Sequence, residues 1–218
     1  MPVRKIPRNY RHLTGRVAMA GQSDSSAFEG GLERDFYTLL DFDPSVADVD
    51  HQPVCLEYTR PNGRSSHYTP DAFVKYHPWA MRRPQLCEVK MRADLKENWD
   101  SLRPGFKEAV RYAKREGWRF SIYTEVEIRT PFLDNVRLLR EYRFIPVDEI
   151  KRARLLRPLR IVGETTLQVL IDDVCPNIEE RGPWLSQIWL MLATGELDAD
   201  MHGSKLSYLT RVWRPQGV

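Results

Sequence analysis

The hydrophobic period of this chain switches from helical to extended and back before Gly117, and that order limits the possible folds more than any other feature. Leu32, Phe36, Leu39 and Leu40 recur at helical spacing, which predicts a helix from Phe28 to Leu40 that stops at Asp43-Pro44. From Val46 to Thr59 the residues favour strands, Pro61-Asn62-Gly63 is a turn, and Ser66 to Tyr76 is the returning strand, broken by His77-Pro78. Gln85 to Met91 alternates, with Cys87, Val89 and Met91 on one face and Leu86, Glu88 and Lys90 on the other. A helix follows with Phe106, Val110 and Ala113 on one side and Gly117 as its C-cap, then a strand from Trp118 to Thr124. Helix, three strands, helix, strand describes a mixed α/β domain.

Thr130-Pro131 opens another helix, with Leu133, Val136, Leu138 and Leu139 apolar. Near Pro146 the organisation shifts. Val147 to Arg154, Thr165 to Val174 and Pro183 to Ala193 read as short helices, the last with Trp184, Ile188 and Leu192 on one side, and Leu197 to Trp213 reads as a hairpin around Gly203. The expected division is a basic N-terminal arm over 1–25, an α/β domain over 26–145 and a small winged-helix-like domain over 146–218. The arm reads as a segment that is poorly ordered or that orders on a partner.

The net charge of +3 over 218 residues says little; its distribution says more. Arg4, Lys5, Arg8, Arg11 and Arg16 come without an acid among them, and residues 137–160 hold eight basic residues against Glu141, Asp148 and Glu149. Residues 172–200 reverse the balance, with seven acids against Arg181. A polyanion would meet the first two regions and avoid the third. Cys55, Cys87 and Cys175 are odd in number and widely spaced, which disfavours a disulfide framework or structural zinc and fits a reducing compartment. No stretch is long and apolar enough for a membrane span, and no apolar signal core follows the basic N-terminus, so a soluble bacterial cytoplasmic protein is expected.

The chemistry centres on Pro70-Asp71 and Glu88-Val89-Lys90. Side chains two apart on a strand share a face, so Glu88 and Lys90 point the same way, and Asp71 approaches them if the two strands are neighbours. Carboxylates side by side repel, and a divalent cation relieves the repulsion; Mg2+, for which Mn2+ can substitute, prefers a few carboxylates plus water. Such a metal polarises a scissile phosphate and acidifies bound water. Lys90 would orient or help deprotonate that water, or stabilise charge on the phosphorane. Glu33, on the first helix beside the apolar stripe, completes the set of Glu33, Asp71 and Glu88 as metal ligands with Lys90 as a fourth catalytic residue; Glu29, one turn earlier, competes with Glu33. The blander alternative is that Asp71 caps a strand and Glu88 pairs with Lys90 across a solvated face. His51, His67 and His77 lack ligand spacing and read as surface or loop residues, with His67 near the cleft rim. Cys87, Trp118, Phe120 and Tyr123 read as core, and the absence of a Gly-rich phosphate loop argues against nucleotide hydrolysis.

The order helix, three strands, helix, with an acid on the first helix, is that of the restriction-endonuclease-like core. Three stretches carry a closer resemblance: Leu32-Glu33 through Pro53, then Tyr68-Thr69-Pro70-Asp71-Ala72-Phe73-Val74, then Cys87-Glu88-Val89-Lys90. Together with Tyr123-Thr124-Glu125-Val126-Glu127-Ile128 they resemble the TnsA family, the endonuclease subunits of heteromeric transposases, including CRISPR-associated ones. That resemblance implies a restriction-endonuclease-like domain followed by a winged-helix-like one. It implies metal-dependent cleavage of double-stranded DNA at the 5′ ends of a transposon. It also implies two partners, a TnsB-type DDE transposase and a TnsC-type AAA+ regulator. By motif Glu33 takes the helix glutamate, Asp71 the metal aspartate and Lys90 the catalytic lysine, while Glu88 stands where some members carry Gln. A free-standing restriction- or repair-type nuclease, or a DNA-binding adaptor with an inactive nuclease fold, are the alternative readings.

Overall fold

Two prolines, Pro53 and Pro70, interrupt what the sequence suggests is one long pair of strands, and neither has an N–H to give to a ladder. The computed structural model, which describes residues 15–17, 26–28 and 30–215, accordingly splits that pair in two. After strands β1 (Gly15–Val17) and β2 (Ser26–Phe28), which pair antiparallel, helix α1 runs Gly31–Phe42. Strand β3 (Val46–His51) leads out of the sheet, β4 (Leu56–Thr59) and β5 (Ser65–Tyr68) form a separate hairpin, and β6 (Ala72–Tyr76) returns. His51 pairs with Ala72 and Leu56 with Tyr68. One strand therefore spends an extra residue between the two ladders, and the left-handed Gln52 (φ 46) lies in that gap. An unequal count of this kind acts as a bulge and re-aims the side chains beyond it.

Strand β7 (Gln85–Val89) lies antiparallel to β6, helix α2 spans Arg92–Arg115, and β8 (Arg119–Tyr123) lies parallel to β7. The sheet order is β3-β6-β7-β8, and a short helix α3 (Glu125–Ile128) follows. Every residue of β7 is buried, as a central strand covered on both faces requires. On one side Phe73, Leu86 and Ala113 pack with Trp118 and Phe120; Trp118 lies 4.1 Å from Phe73, centroid to centroid. On the other, Phe36 of α1 packs on Tyr123 at 4.9 Å. Trp118, Phe120 and Tyr123, expected in the core, are half-buried at its edge. Helix α2 buries Phe106, Ala109 and Ala113, whereas Val110, expected on that face, is exposed. Gly117 follows the helix in the left-handed conformation (φ 76), as a C-terminal glycine does.

The chain divides between Ile128 and Arg129, not between 145 and 146. The reason lies in helix α4 (Pro131–Leu139), whose buried Leu133, Val136 and Leu139 pack with residues of the second unit. Leu138, expected among them, is exposed. Its buried Asn135 donates to the carbonyls of Met201 and Ser204, both at 2.8 Å, and accepts from the Leu206 N–H at 2.8 Å. Helix α5 (Glu149–Val162), strand β9 (Glu164–Thr166), helices α6 (Leu167–Val174) and α7 (Arg181–Ala193), and strands β10 (Asp198–Ala199) and β11 (Arg211–Trp213) complete this unit. Its small sheet has the order β10-β11-β9. The expected terminal hairpin is present as β10 and β11, and β9 adds an edge that the sequence pattern did not suggest. Residues 1–14, 18–25 and Glu29, on which the reading of an N-terminal arm and of a competing helix glutamate rests, lie outside the described residues.

Asn135 satisfies three backbone groups at once, so Asn135→Ala leaves buried carbonyls and an N–H without partners. We expect a loss of about 2–3 kcal/mol in the second unit. Chemical denaturation, together with faster hydrogen exchange of the Leu206 amide, measures it.

Candidate active site

The register of β6 on β7 builds the site. Ala72 pairs with Cys87 and Phe73 with Leu86, so one step further the ladder sets Asp71 across from Glu88. The neighbouring strands that the sequence reading required are therefore present. Asp71 is fixed by its own carboxylate, which accepts the Val89 N–H at 2.7 Å, and its carbonyl accepts from the Gln52 N–H at 3.0 Å and from the Tyr37 hydroxyl at 2.9 Å. Glu88 is buried and sits between two partners: the Tyr68 hydroxyl donates to it at 2.6 Å, and the Lys90 ammonium lies 3.2 Å from its other oxygen. Lys90 follows the end of β7 and gives its backbone N–H to the Tyr123 carbonyl at 3.0 Å, which holds it beside the sheet. Glu33 sits in the first turn of α1, half-buried, where a negative charge suits the helix N-terminus. A pair across a solvated face, the blander alternative, does not describe Glu88, which is 3% exposed.

The electrostatics follow from this packing. Burial, then the charges of Glu88 and Glu33, push the Asp71 carboxyl well above its ordinary range, against the Val89 N–H and Lys90, which pull it down. Burial acts to lower the Lys90 ammonium, but Glu88, Asp71 and Glu33 outweigh it and hold Lys90 above its usual value, so it is a cation here. Tyr68 is pushed up by burial and by Glu88, and Tyr37 by burial, Asp71 and Glu33; both stay protonated donors. Burial and Asp71 also raise Cys87, which keeps it an unreactive thiol within the core. Glu33 thus belongs to the same electrostatic group as Asp71 and Lys90.

Three residues at this site escaped the sequence reading. His51 is not a surface residue: it ends β3 half-buried, and its Nδ1 is hydrogen-bonded to the Tyr37 hydroxyl. That hydroxyl also reaches the Asp71 carbonyl, so His51 and Tyr37 together brace the backbone that carries Asp71. Tyr68 lies three residues before Asp71, inside the motif, but its role depends on Glu88, twenty residues away. Its ring packs on Phe106 and Phe120 and against Gly105 of α2, where an added Cβ would come within 3.0 Å of Tyr68. His67 and His77 are exposed, as expected.

The donor chemistry suits a hard divalent cation: oxygen ligands from Asp71 and Glu88, set across the ladder, with Glu33 close enough to add to their mutual repulsion. Among the described residues no three His, Cys, Asp or Glu side chains already converge on one point.

Two predictions follow from the buried charge and from the Tyr68 contact. A carboxyl whose folded pKa is raised stabilises the fold only below its unfolded pKa, and that contribution is lost as pH rises toward the folded value. Above the ordinary carboxylate range and without metal, burial of Asp71 is therefore a cost, and Asp71→Asn, which can still accept from Val89, should raise the melting temperature by roughly 2–4 °C. The gain should shrink at acid pH and on adding divalent cation to the wild type. Gly105→Ala should displace Tyr68 and cut strand cleavage by about tenfold or more with a melting temperature shift of only a few degrees. Normal cleavage by Gly105→Ala would remove Tyr68 from the site.

Residues 43–125 match the family model described as the TnsA-like endonuclease N terminal. No curated protein matches the chain. The matched span begins at the residue that caps α1 and contains Asp71, Glu88 and Lys90, while Glu33 precedes it. Within the first unit, residues 43–125 are thus similar to a TnsA-like endonuclease N-terminal domain.

Proposed function

We propose that the chain is the metal-dependent endonuclease subunit of a transposase that cuts the 5′ ends of its element. The observation that carries this is the β6–β7 register, which sets Asp71 against Glu88 with Lys90 paired to Glu88, inside the TnsA-like segment. Asp71, Glu88 and Glu33 would hold Mg2+, which when bound supplies a Lewis acid for the scissile phosphate and an acidified water. The rest is the work of this chain's side chains. Tyr68 donates to one Glu88 oxygen and leaves the other toward Lys90, so the carboxylate has one orientation. The Val89 N–H does the same for Asp71. Lys90, held cationic by three carboxylates, is suited to stabilise charge that builds on the phosphate in the transition state.

The same proposal assigns the second unit a winged-helix-like role. Helices α5, α6 and α7, with β9 following the first of them and β10–β11 closing the unit, have the element order of that class. We assign it the contact with a TnsC-type AAA+ regulator, and the nuclease domain the contact with a TnsB-type DDE transposase at the element ends. The exposed arginines Arg157 and Arg160 remain from the basic run 137–160, in which Arg137, Lys151 and Arg152 are ion-paired with Asp134, Asp148, Glu149 and Glu196. Trp184 is half-buried beneath Arg154 and Lys151, which leaves part of its face for a partner.

Asp71→Ala, Glu88→Ala, Lys90→Ala and Glu33→Ala should each reduce cleavage by at least about a hundredfold while the fold persists, and Glu29→Ala should retain it. The measurement is strand cleavage at element ends by the chain with transposase, regulator and Mg2+. The chain alone should cut linear duplex little or not at all, and deleting the second unit, residues 129–218, should remove the regulator's contribution. Vigorous cutting of arbitrary duplex by the isolated chain would favour a free-standing nuclease; normal cleavage by Lys90→Ala would sink the assignment.

A further inference from the structure

The charges of α2 are segregated along its length. Its first half mixes Arg92 and Lys96 with Asp94, Glu97 and Asp100, but from Arg103 to Arg115 five basic residues face a single acid, Glu108. Arg103, Lys107 and Arg111 are spaced four residues apart, so they form one row rising about 6 Å per step. That row is the rim of a groove of about 590 Å³ whose other wall is the β4–β5 hairpin, through Tyr58, Thr59 and Pro61. Asp100 and Glu108 also line it; Glu108 is taken by Arg111 at 3.1 Å, and Asp100 sits toward the mixed half.

The hairpin extends the pattern. Its turn is braced: the Arg60 N–H donates to the Arg64 carbonyl at 2.8 Å, the Asn62 side chain accepts the Arg64 N–H at 3.1 Å, and Gly63 supplies the left-handed residue (φ 81). Arg60 and Arg64 are both exposed at this tip. Among the described residues no carboxylate lies within ion-pair distance of Arg60, Arg64, Arg103 or Lys107. Four such cations on two rigid elements flanking one groove is an arrangement that self-repels and gains by meeting a regular polyanion. An ordinary solvated helix face would intersperse acids, as the first half of α2 does.

We propose that the row Arg103–Lys107–Arg111 and the hairpin tip Arg60–Arg64 form a track for the backbone of duplex DNA, read through phosphates and not through bases. This rests on the nuclease reading for its substrate. It places the duplex on α2 and the hairpin, the two elements that also hold Tyr68 against Glu88.

The test is equilibrium binding of the full chain to a linear duplex of arbitrary sequence, in EDTA, across a salt series. Each phosphate neutralised contributes about 0.9 to the slope of log affinity against log salt. The variant Arg60→Gln/Arg64→Gln/Arg103→Gln/Lys107→Gln should flatten that slope by about 3 and weaken binding at least roughly tenfold at 0.1 M salt. Lys96→Gln, on the mixed half of the same helix, should leave both unchanged. The pairs Arg60→Gln/Arg64→Gln and Arg103→Gln/Lys107→Gln, measured separately with their melting temperatures, each carry part of the loss if the combined variant fails to fold. An unchanged slope in both pairs overturns the track. So does a loss confined to association with a protein partner, which would make this face a protein-docking surface. Because no cleavage is read, a wild type that binds through these residues but never cuts with its partners would overturn the nuclease reading and leave the track standing.

Discussion

Two carboxylates held across a β ladder inside a protein repel each other and lose water at the same time, and the first unit of this chain is arranged around that cost. Asp71 and Glu88 face each other because β6 and β7 pair in a fixed register. A shift of one residue would turn one of them to the other face of the sheet. The register is locked by Phe73 and Leu86, which pack beneath Trp118 and Phe120. Each carboxylate then receives one firm donor, the Val89 N–H for Asp71 and the Tyr68 hydroxyl for Glu88, and Lys90 adds a single cation. One ammonium against the group of Asp71, Glu88 and Glu33 leaves negative charge in excess, and that excess is what a divalent cation would relieve. Part of the protein's stability is thus given up at the place where chemistry needs charge.

What the sequence made legible was whatever depends on near neighbours. Period two over Gln85 to Met91 is a local property, and it put Glu88 and Lys90 on one side of the strand. The helix ends at Asp43 and Gly117 are likewise local. Two features needed contacts between distant residues. Pro53 and Pro70 each signal a break, but only their coming together in the gap between the His51–Ala72 and Leu56–Tyr68 pairs divides one long hairpin into a sheet pair and a separate β4–β5 hairpin. His51 has no ligand spacing in the sequence, and it acquires meaning only because Tyr37, on another element, is hydrogen-bonded to both it and the Asp71 carbonyl. The division of the compact units at Ile128–Arg129 was hidden from the sequence for a similar reason. The apolar stripe of α4 does not say which core it enters, and the three bonds of Asn135 to residues beyond 200 decide it.

The hairpin and α2 tie the proposed DNA track to the proposed metal ligands through very few atoms. Tyr68, at the base of the hairpin, has its hydroxyl on Glu88 and its Cβ and Cγ against Gly105 of α2. Gly105 lies between Arg103 and Lys107, the two cations of the row without ion pairs among the described residues. Glycine inside a helix costs about 1 kcal/mol relative to alanine, and the proline before it removes a helical hydrogen bond as well. A helix that only needed to cover the sheet would gain by losing both. Their presence makes sense if the close approach of Tyr68 is what this turn of α2 is for. Phosphates bound on Arg103 and Lys107 would press on the same turn that sets Tyr68. A backbone held one ångström out of place on the track would then be felt at Glu88 through a single aromatic ring.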